Sequence, residues 1–213
     1  MAVNRGKNIR LFENPWLESQ THIHPATPAL FWLPIVGYLF YRSFAVHALP
    51  VTEVLGLFVG GMFFWTFAEY VLHRWVFHYH PSSKLGKRIA YLAHGIHHDD
   101  PDDGTRLVMP VIPAVIIASF FYGLFRLILG PVYTEPFMAS FLVGYLCYDY
   151  IHYYTHHFIP KTALGRWLKQ NHMLHHYKYP ELMWGVSSPL WDRVFGTFPV
   201  SKSAQQNPQA LSK

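Results

Sequence analysis

The sequence holds a single cysteine, Cys147, in 213 residues. That scarcity excludes a disulfide within the chain and the zinc-finger and iron–sulfur sites that need several sulfurs. Cys147 itself is expected to pack as a small, unreactive apolar group. Charge is also sparse, at 14% of residues, where a soluble domain carries about a quarter. The formal charge of +5 is not gathered into a basic arm or stripe, so nucleic acid is not an expected partner, and anionic lipid headgroups account better for the basic residues. Residues 1–25 lack the apolar core and small-residue cleavage site of a signal peptide. There is no nucleotide-binding motif and no internal repeat of fixed period.

Apolar and aromatic residues fill the gap, at 51% and 18% of the chain. They are blocked together rather than alternating, as expected for a bilayer and not for a water-soluble core. Four blocks, about 29–49, 51–72, 107–129 and 136–154, each approach the roughly 20 residues that cross hydrocarbon as a helix. Pro50 separates the first pair, and Gly130, Pro131 and Pro136 separate the second, so both pairs read as helical hairpins. Basic residues avoid these two turns, and most lie in the N-terminus, in 73–106 and after His156. The positive-inside rule then puts both termini and the middle segment in the cytoplasm. Arg42 and Arg126, inside apolar blocks, are expected to snorkel to headgroups. Gly56 and Gly60 give a weak signal for close helix packing.

The expected fold is therefore all-α: an integral membrane bundle of four transmembrane helices with a cytoplasmic helical cap, in one domain over residues 1–200 with a polar, disordered tail at 201–213.

Fifteen histidines are the second surplus. They recur as His73 and His78, as His94, His97 and His98, as His152, His156 and His157, and as His172, His175 and His176. Positions three and four apart share a helix face, so each H-x2-H-H triplet and the His152/His156 pair can aim imidazoles at one point. His73 and His78 are about 140° apart on a regular helix, so the second membrane helix is expected to distort or end between them. Ten ligands follow: His73, His78, His94, His97, His98, His152, His156, His172, His175 and His176. Ten are too many for one ion and suit two, each with four to five imidazoles and an open position, at the cytoplasmic boundary. His80 and His157 are weaker candidates, and His22, His24 and His47 are expected to be surface or hydrogen-bonded residues. Asp149, three residues before His152, is placed to orient a ligand ring, with Glu69 a weaker candidate. Asp99 and Asp100 read as a solvated helix end. Imidazole suits iron, zinc, copper or nickel without choosing among them.

The segments "HRWVFH", "HGIHHDDPDDGTRLVMP", "GYLCYDYIHYYTHH" and "NHMLHHYKYPELMWGVSSPLWDRVFGTFP" resemble the fatty acid hydroxylase and sterol desaturase superfamily, and within it the fatty acid 2-hydroxylase branch. The resemblance runs from about Glu69 to Pro199. It implies O2-dependent insertion of oxygen at C2 of a fatty acyl chain, free or in a lipid, with the ten histidines around two metal ions. Di-iron is expected for activity and zinc can occupy such a site, although redox-inert zinc could not itself activate O2. Eukaryotic relatives often carry an N-terminal cytochrome b5 domain. This sequence lacks the His-Pro-Gly-Gly haem motif and is too short for that fusion, so electrons are expected from a separate donor, cytochrome b5-like or of ferredoxin type. A bacterial inner membrane is the expected location, or the endoplasmic reticulum if the source is eukaryotic. The alternatives are a sterol, carotenoid or alkane oxygenase of the same superfamily and, from another class, a membrane metal transporter. Transporters hold ligands near mid-bilayer, whereas these histidines gather at helix ends.

The stretch from Tyr177 to Asp192 has two readings, a cover for the site or a set of interfacial anchors formed by Tyr179, Trp184 and Trp191. Asp192 reads as a structural ion pair with Arg193.

Overall fold

The computed structural model describes residues 6–7 and 9–199, so the expected tail lies outside the described residues. Among the described residues the chain is all-helical with no strand. A short helix α1 (Pro15–Ser19) precedes three helices long and apolar enough to cross a membrane. These are α2 with the π turn that continues it (Thr27–Val46), α3 with its own π turn (Val51–Phe77), and α6 (Val111–His157). Between them lie α4 (Lys84–Ala90), a π turn (Tyr91–Gly95) and α5 (Ile96–Asp99), and after them α7 (Ala163–Tyr177) and α8 (Leu190–Val194). The outer faces of the long helices are apolar: Leu127 is 86% exposed and Ile112 76%, as a lipid-bathed surface allows and water does not. Cys147 lies on this exposed surface rather than packed inside.

Helix α6 is two helices joined at a break. Gly130 has φ 71 and ψ 178, a left-handed region open to glycine. On a straight helix Phe121 and Phe141 would stand about 30 Å apart, yet their ring centroids are 4.8 Å apart, as are those of Phe125 and Phe137. The two halves therefore run antiparallel. Pro131 directly follows the break, in a first helical turn where a missing N–H costs nothing.

The close crossing in the bundle is made by Gly61 and Gly144, not by the Gly56/Gly60 pair. A Cβ on Gly61 would lie 2.5 Å from the Phe137 carbonyl oxygen, and one on Gly144 would lie 2.6 Å from Trp65 Cβ, whereas Gly56 has nothing within 4 Å. Trp65, Phe141, Tyr145 and Tyr148 fill the core between α3 and the second half of α6.

At the end away from the histidines, Arg42 does not simply snorkel. Its Nε and a terminal nitrogen lie 2.9–3.0 Å from the buried Glu135 carboxylate, and His47 Nε2 lies 3.1 Å from the same group. A charge buried this deep needs such partners, and this one ties the turn after α2 to the turn inside α6. At the other end Arg106 pins the N-terminal segment to the cap through the Ile9 carbonyl and Glu18, both at 2.6 Å.

Candidate metal centre

The expected distortion between His73 and His78 is a π turn. The His78 N–H donates to the His73 carbonyl at 3.1 Å, five residues back, and the widened turn brings the two rings to 5.0 Å centroid to centroid. Helix α7 starts cleanly because the Thr162 hydroxyl oxygen accepts the Gly165 N–H at 3.1 Å, and it carries His172, His175 and His176.

All ten expected histidines come together, in two groups of five: His73, His78, His94, His98 and His175, then His97, His152, His156, His172 and His176. Each H-x2-H-H triplet divides between the groups instead of aiming at one point. Residues i+3 and i+4 differ by about 100° around a helix, while i and i+4 differ by about 40°. His94 and His98 thus face one group and His97 the other, and His172 and His176 face one group and His175 the other. Six of the rings are below a tenth exposed, with His175 at 0% and His73 at 1%.

The remaining candidates stay outside the groups. His80 is exposed and meets Glu181 at 3.3 Å, and His157 packs on the Tyr153 ring at 4.8 Å. His22 lies 3.0 Å from an Arg106 nitrogen, and His24 Nδ1 accepts the Ala26 N–H. Asp100 is buried and accepts the Lys7 backbone N–H at 2.6 Å, so it is not a solvated helix end. The Asp149 carboxylate accepts from the Met109 N–H (3.2 Å) and the Tyr145 hydroxyl (3.4 Å), and it makes no hydrogen bond to any of the ten rings. It anchors the start of α6 beside the site.

The donor set fits metal ions. Within each group the candidate ligand nitrogens lie within 4.8 Å of one another, and neighbouring Nε2 atoms approach to 2.8–3.1 Å. Nitrogens about 2.1 Å from a shared ion stand ~3.0 Å apart at right angles and ~4.2 Å apart when opposed. Hydrogen bonds alone do not satisfy this arrangement. His73 Nδ1 faces the Trp184 carbonyl at 2.6 Å and His175 Nδ1 the Leu182 carbonyl at 2.7 Å. A carbonyl only accepts, so both rings carry hydrogen on Nδ1 and present a bare Nε2 to the group. His175 Nε2 is buried with no hydrogen-bond partner, as is His78 Nε2.

Burial keeps the cap histidines neutral, as ligands must be. His78 and His98 are both pulled down to about 3, first by burial and then by the His175 imidazole. His94, His97 and His172 lie well below the ordinary range for the same first reason, with neighbouring rings adding to it.

Several residues that shape the site carry no motif. The Leu182 and Trp184 carbonyls hold two rings, and Trp184 is 2% exposed and packs against His78 at 4.7 Å. The segment after α7 therefore covers the site, and Trp184 is no interfacial anchor. Asp192 ignores Arg193 and binds backbone N–H groups of the covering loop. Beside the histidines lies a cavity of about 280 Å3 with largely apolar walls, including Leu11, Phe12, Phe77, Met109 and Ile117, and lined also by His94, His97 and His152.

Comparison with known proteins follows the same lines. The profile of the fatty acid hydroxylase family matches residues 58–197. The chain is 36% identical over 198 residues to the dihydroceramide fatty acyl 2-hydroxylase FAH1 of Arabidopsis thaliana, covering 92% of this chain and 83% of that protein. It is 36% identical to the fatty acid 2-hydroxylase of Mus musculus, over 89% of this chain and 56% of that one. With the ceramide very long chain fatty acid hydroxylase SCS7 of Saccharomyces cerevisiae it shares 39% identity, over 80% of this chain and 46% of that one. The chain thus spans about half the length of the mouse and yeast proteins. A solved structure of full-length scs7p, with only the hydroxylase domain visible, superposes with a TM-score of 0.83 at 37% identity, covering 90% of this chain and 72% of that one.

Proposed function

The chain belongs to the fatty acid hydroxylase family of hydroxylating oxidoreductases, and from that premise we propose that it hydroxylates C2 of a fatty acyl chain held in a membrane lipid or as the free acid. One observation carries the reading: the largely apolar cavity is lined by imidazoles of both groups, His94 from one and His97 and His152 from the other. An acyl chain lying there brings a carbon near its polar end against the paired site.

Each group of five imidazoles would hold one ion, iron in the active protein. Bound iron supplies the O2 chemistry that breaks an unactivated C–H bond. Two electrons and two protons are consumed with O2, one oxygen entering the C–H bond and the other leaving as water. The electrons would come from a donor of cytochrome b5 or ferredoxin type. The chain's own residues supply position and dryness. Met109, Ile117 and Phe77 line the acyl path, the Leu182 and Trp184 carbonyls aim ligand rings, and Trp184 keeps water from the His78 face. Asp149 fixes the wall at Met109.

The single domain over 1–200 would cross the membrane four times, the break at Gly130 making two crossings of α6. Both termini and the histidine end would face the cytoplasm, in keeping with basic residues at Lys84, Lys87, Arg88, Lys161 and Lys169.

Lipid mass spectrometry of cells with and without the gene tests the function. The reading expects 2-hydroxyacyl lipids only where the protein is present, and their loss in His175→Ala protein that still reaches the membrane. A hydroxylated sterol, carotenoid or alkane in place of a 2-hydroxyacyl product overturns it.

A further inference from the structure

The two groups of five are not built alike. In the group of His73, two rings are held by backbone carbonyls of one loop, Trp184 O on His73 and Leu182 O on His175. In the group of His97, ring nitrogens meet only one another, and no backbone carbonyl is hydrogen-bonded to a ring among the described residues. Nδ1 of His97, His172 and His176 is buried without a protein partner.

The clamping loop is itself held from two sides by buried carboxylates. Glu69, one helical turn before His73, accepts the N–H groups of Val186 (2.7 Å) and Ser187 (2.8 Å) and bonds the Ser187 hydroxyl. Asp192, 0% exposed, accepts the N–H groups of Trp184 and Gly185, both at 2.8 Å, and the Thr197 hydroxyl at 2.7 Å. Between the two clamping carbonyls Met183 adopts φ 64. This left-handed conformation is rare for a residue with a side chain and persists only where the surroundings dictate it. Here they do so through the bond from the Met183 N–H to the Thr197 carbonyl at 3.1 Å.

Carbonyl bonds of this kind fix which ring nitrogen is bare and where it points before any ion arrives, so the ion pays less ordering cost on binding. We infer that the two ion sites are unequal by construction: the His73 group is the pre-organised site that holds its ion longer, and Glu69 and Asp192 are positioning residues that act on it through the loop carbonyls. This rests on the reading that both groups bind metal.

The test is metal loss from the purified holoprotein in detergent under excess chelator, followed as metal per chain by mass spectrometry. The wild type should lose one equivalent quickly and one slowly. His156→Ala, in the other group, should keep only the slow equivalent. Asp192→Asn should speed the slow phase about tenfold, the lower end of the effect of removing a ligand's direct outer partner because it acts through the loop, and leave the fast phase unchanged. Glu69→Gln carries the same expectation and serves if Asp192→Asn does not fold. Two equivalents leaving together in the wild type overturn the inference but not the dimetal reading, as do variants that speed both phases alike, speed only the fast one, or speed neither. A protein that never holds metal overturns both.

Discussion

The imidazole rings of His98 and His176 stack at 4.2 Å, 24° from parallel, although they belong to different five-histidine groups and lie on different helices. The contact exists because each triplet straddles the pair, one cap helix and α7 both feeding both groups. Substitutions next to each other in sequence should therefore empty different sites. His97→Ala and His98→Ala should each lower bound metal by about one equivalent per chain, and the double variant by about two. Elemental analysis of the purified proteins decides this, and loss of both equivalents from each single variant would speak against divided triplets.

Acid should unmake the site before the bundle. His78 and His98 are held down to about 3 in the folded chain, against about 6.5 when unfolded. Below pH 6.5 the unfolded chain binds protons that the folded one refuses. The stability these rings contribute is thus complete above pH 6.5 and is lost progressively as pH falls towards 3. Metal-free protein should show a falling thermal midpoint across that window, and metal-loaded protein should release metal there with proton uptake. A midpoint flat from pH 7 to 4 would contradict the burial argument.

Filling the cavity should separate substrate binding from metal binding. Ile117→Trp adds bulk to the apolar wall of this cavity and replaces no ligand. Product formation should fall at least tenfold while metal content stays at the wild-type value. Unchanged turnover would show that the acyl chain lies elsewhere.

The tie at the opposite end of the bundle should matter for stability alone. Glu135→Gln leaves the Arg42 guanidinium without its counter-charge. Breaking a fully buried pair costs about 3–5 kcal/mol. Arg42 is about a third exposed, so solvent screens part of that loss, and the variant should be destabilised but still folded. The check is the thermal midpoint in detergent, with metal content unchanged.

Much of this was legible in the sequence because its signals are local. Blocked apolar runs marked the long helices, α3 starting at Val51 as its block does, and spacings of i, i+3, i+4 and, for His73 and His78, i+5 picked out the ten clustered histidines. The misfit of His73 and His78 with a regular turn foretold a distortion, which proved to be a π turn. The division of the triplets was equally available from helix geometry, as the 100° between i+3 and i+4. What stayed hidden depends on contacts between distant segments. Glu135 with Arg42 is separated by 93 residues and His73 with Trp184 by 111. Backbone carbonyls leave no mark in a sequence, so the loop from Leu182 to Ser187 could be read as a cover but not as a clamp. Asp192 misled because an adjacent Arg193 suggests an ion pair, while its side chain turns inward to three donors, two on the covering loop and one in the segment after α8.

The central claim is that ten imidazoles from four stretches of chain enclose two ions, five to each. Anomalous diffraction from crystals of the metal-loaded protein, collected at the absorption edge of the bound metal, tests it most directly. The account predicts two peaks per chain, one bounded by Nε2 of His73, His94 and His175 and the other by Nε2 of His97, His152 and His172. A single peak, or peaks away from these nitrogens, would contradict it.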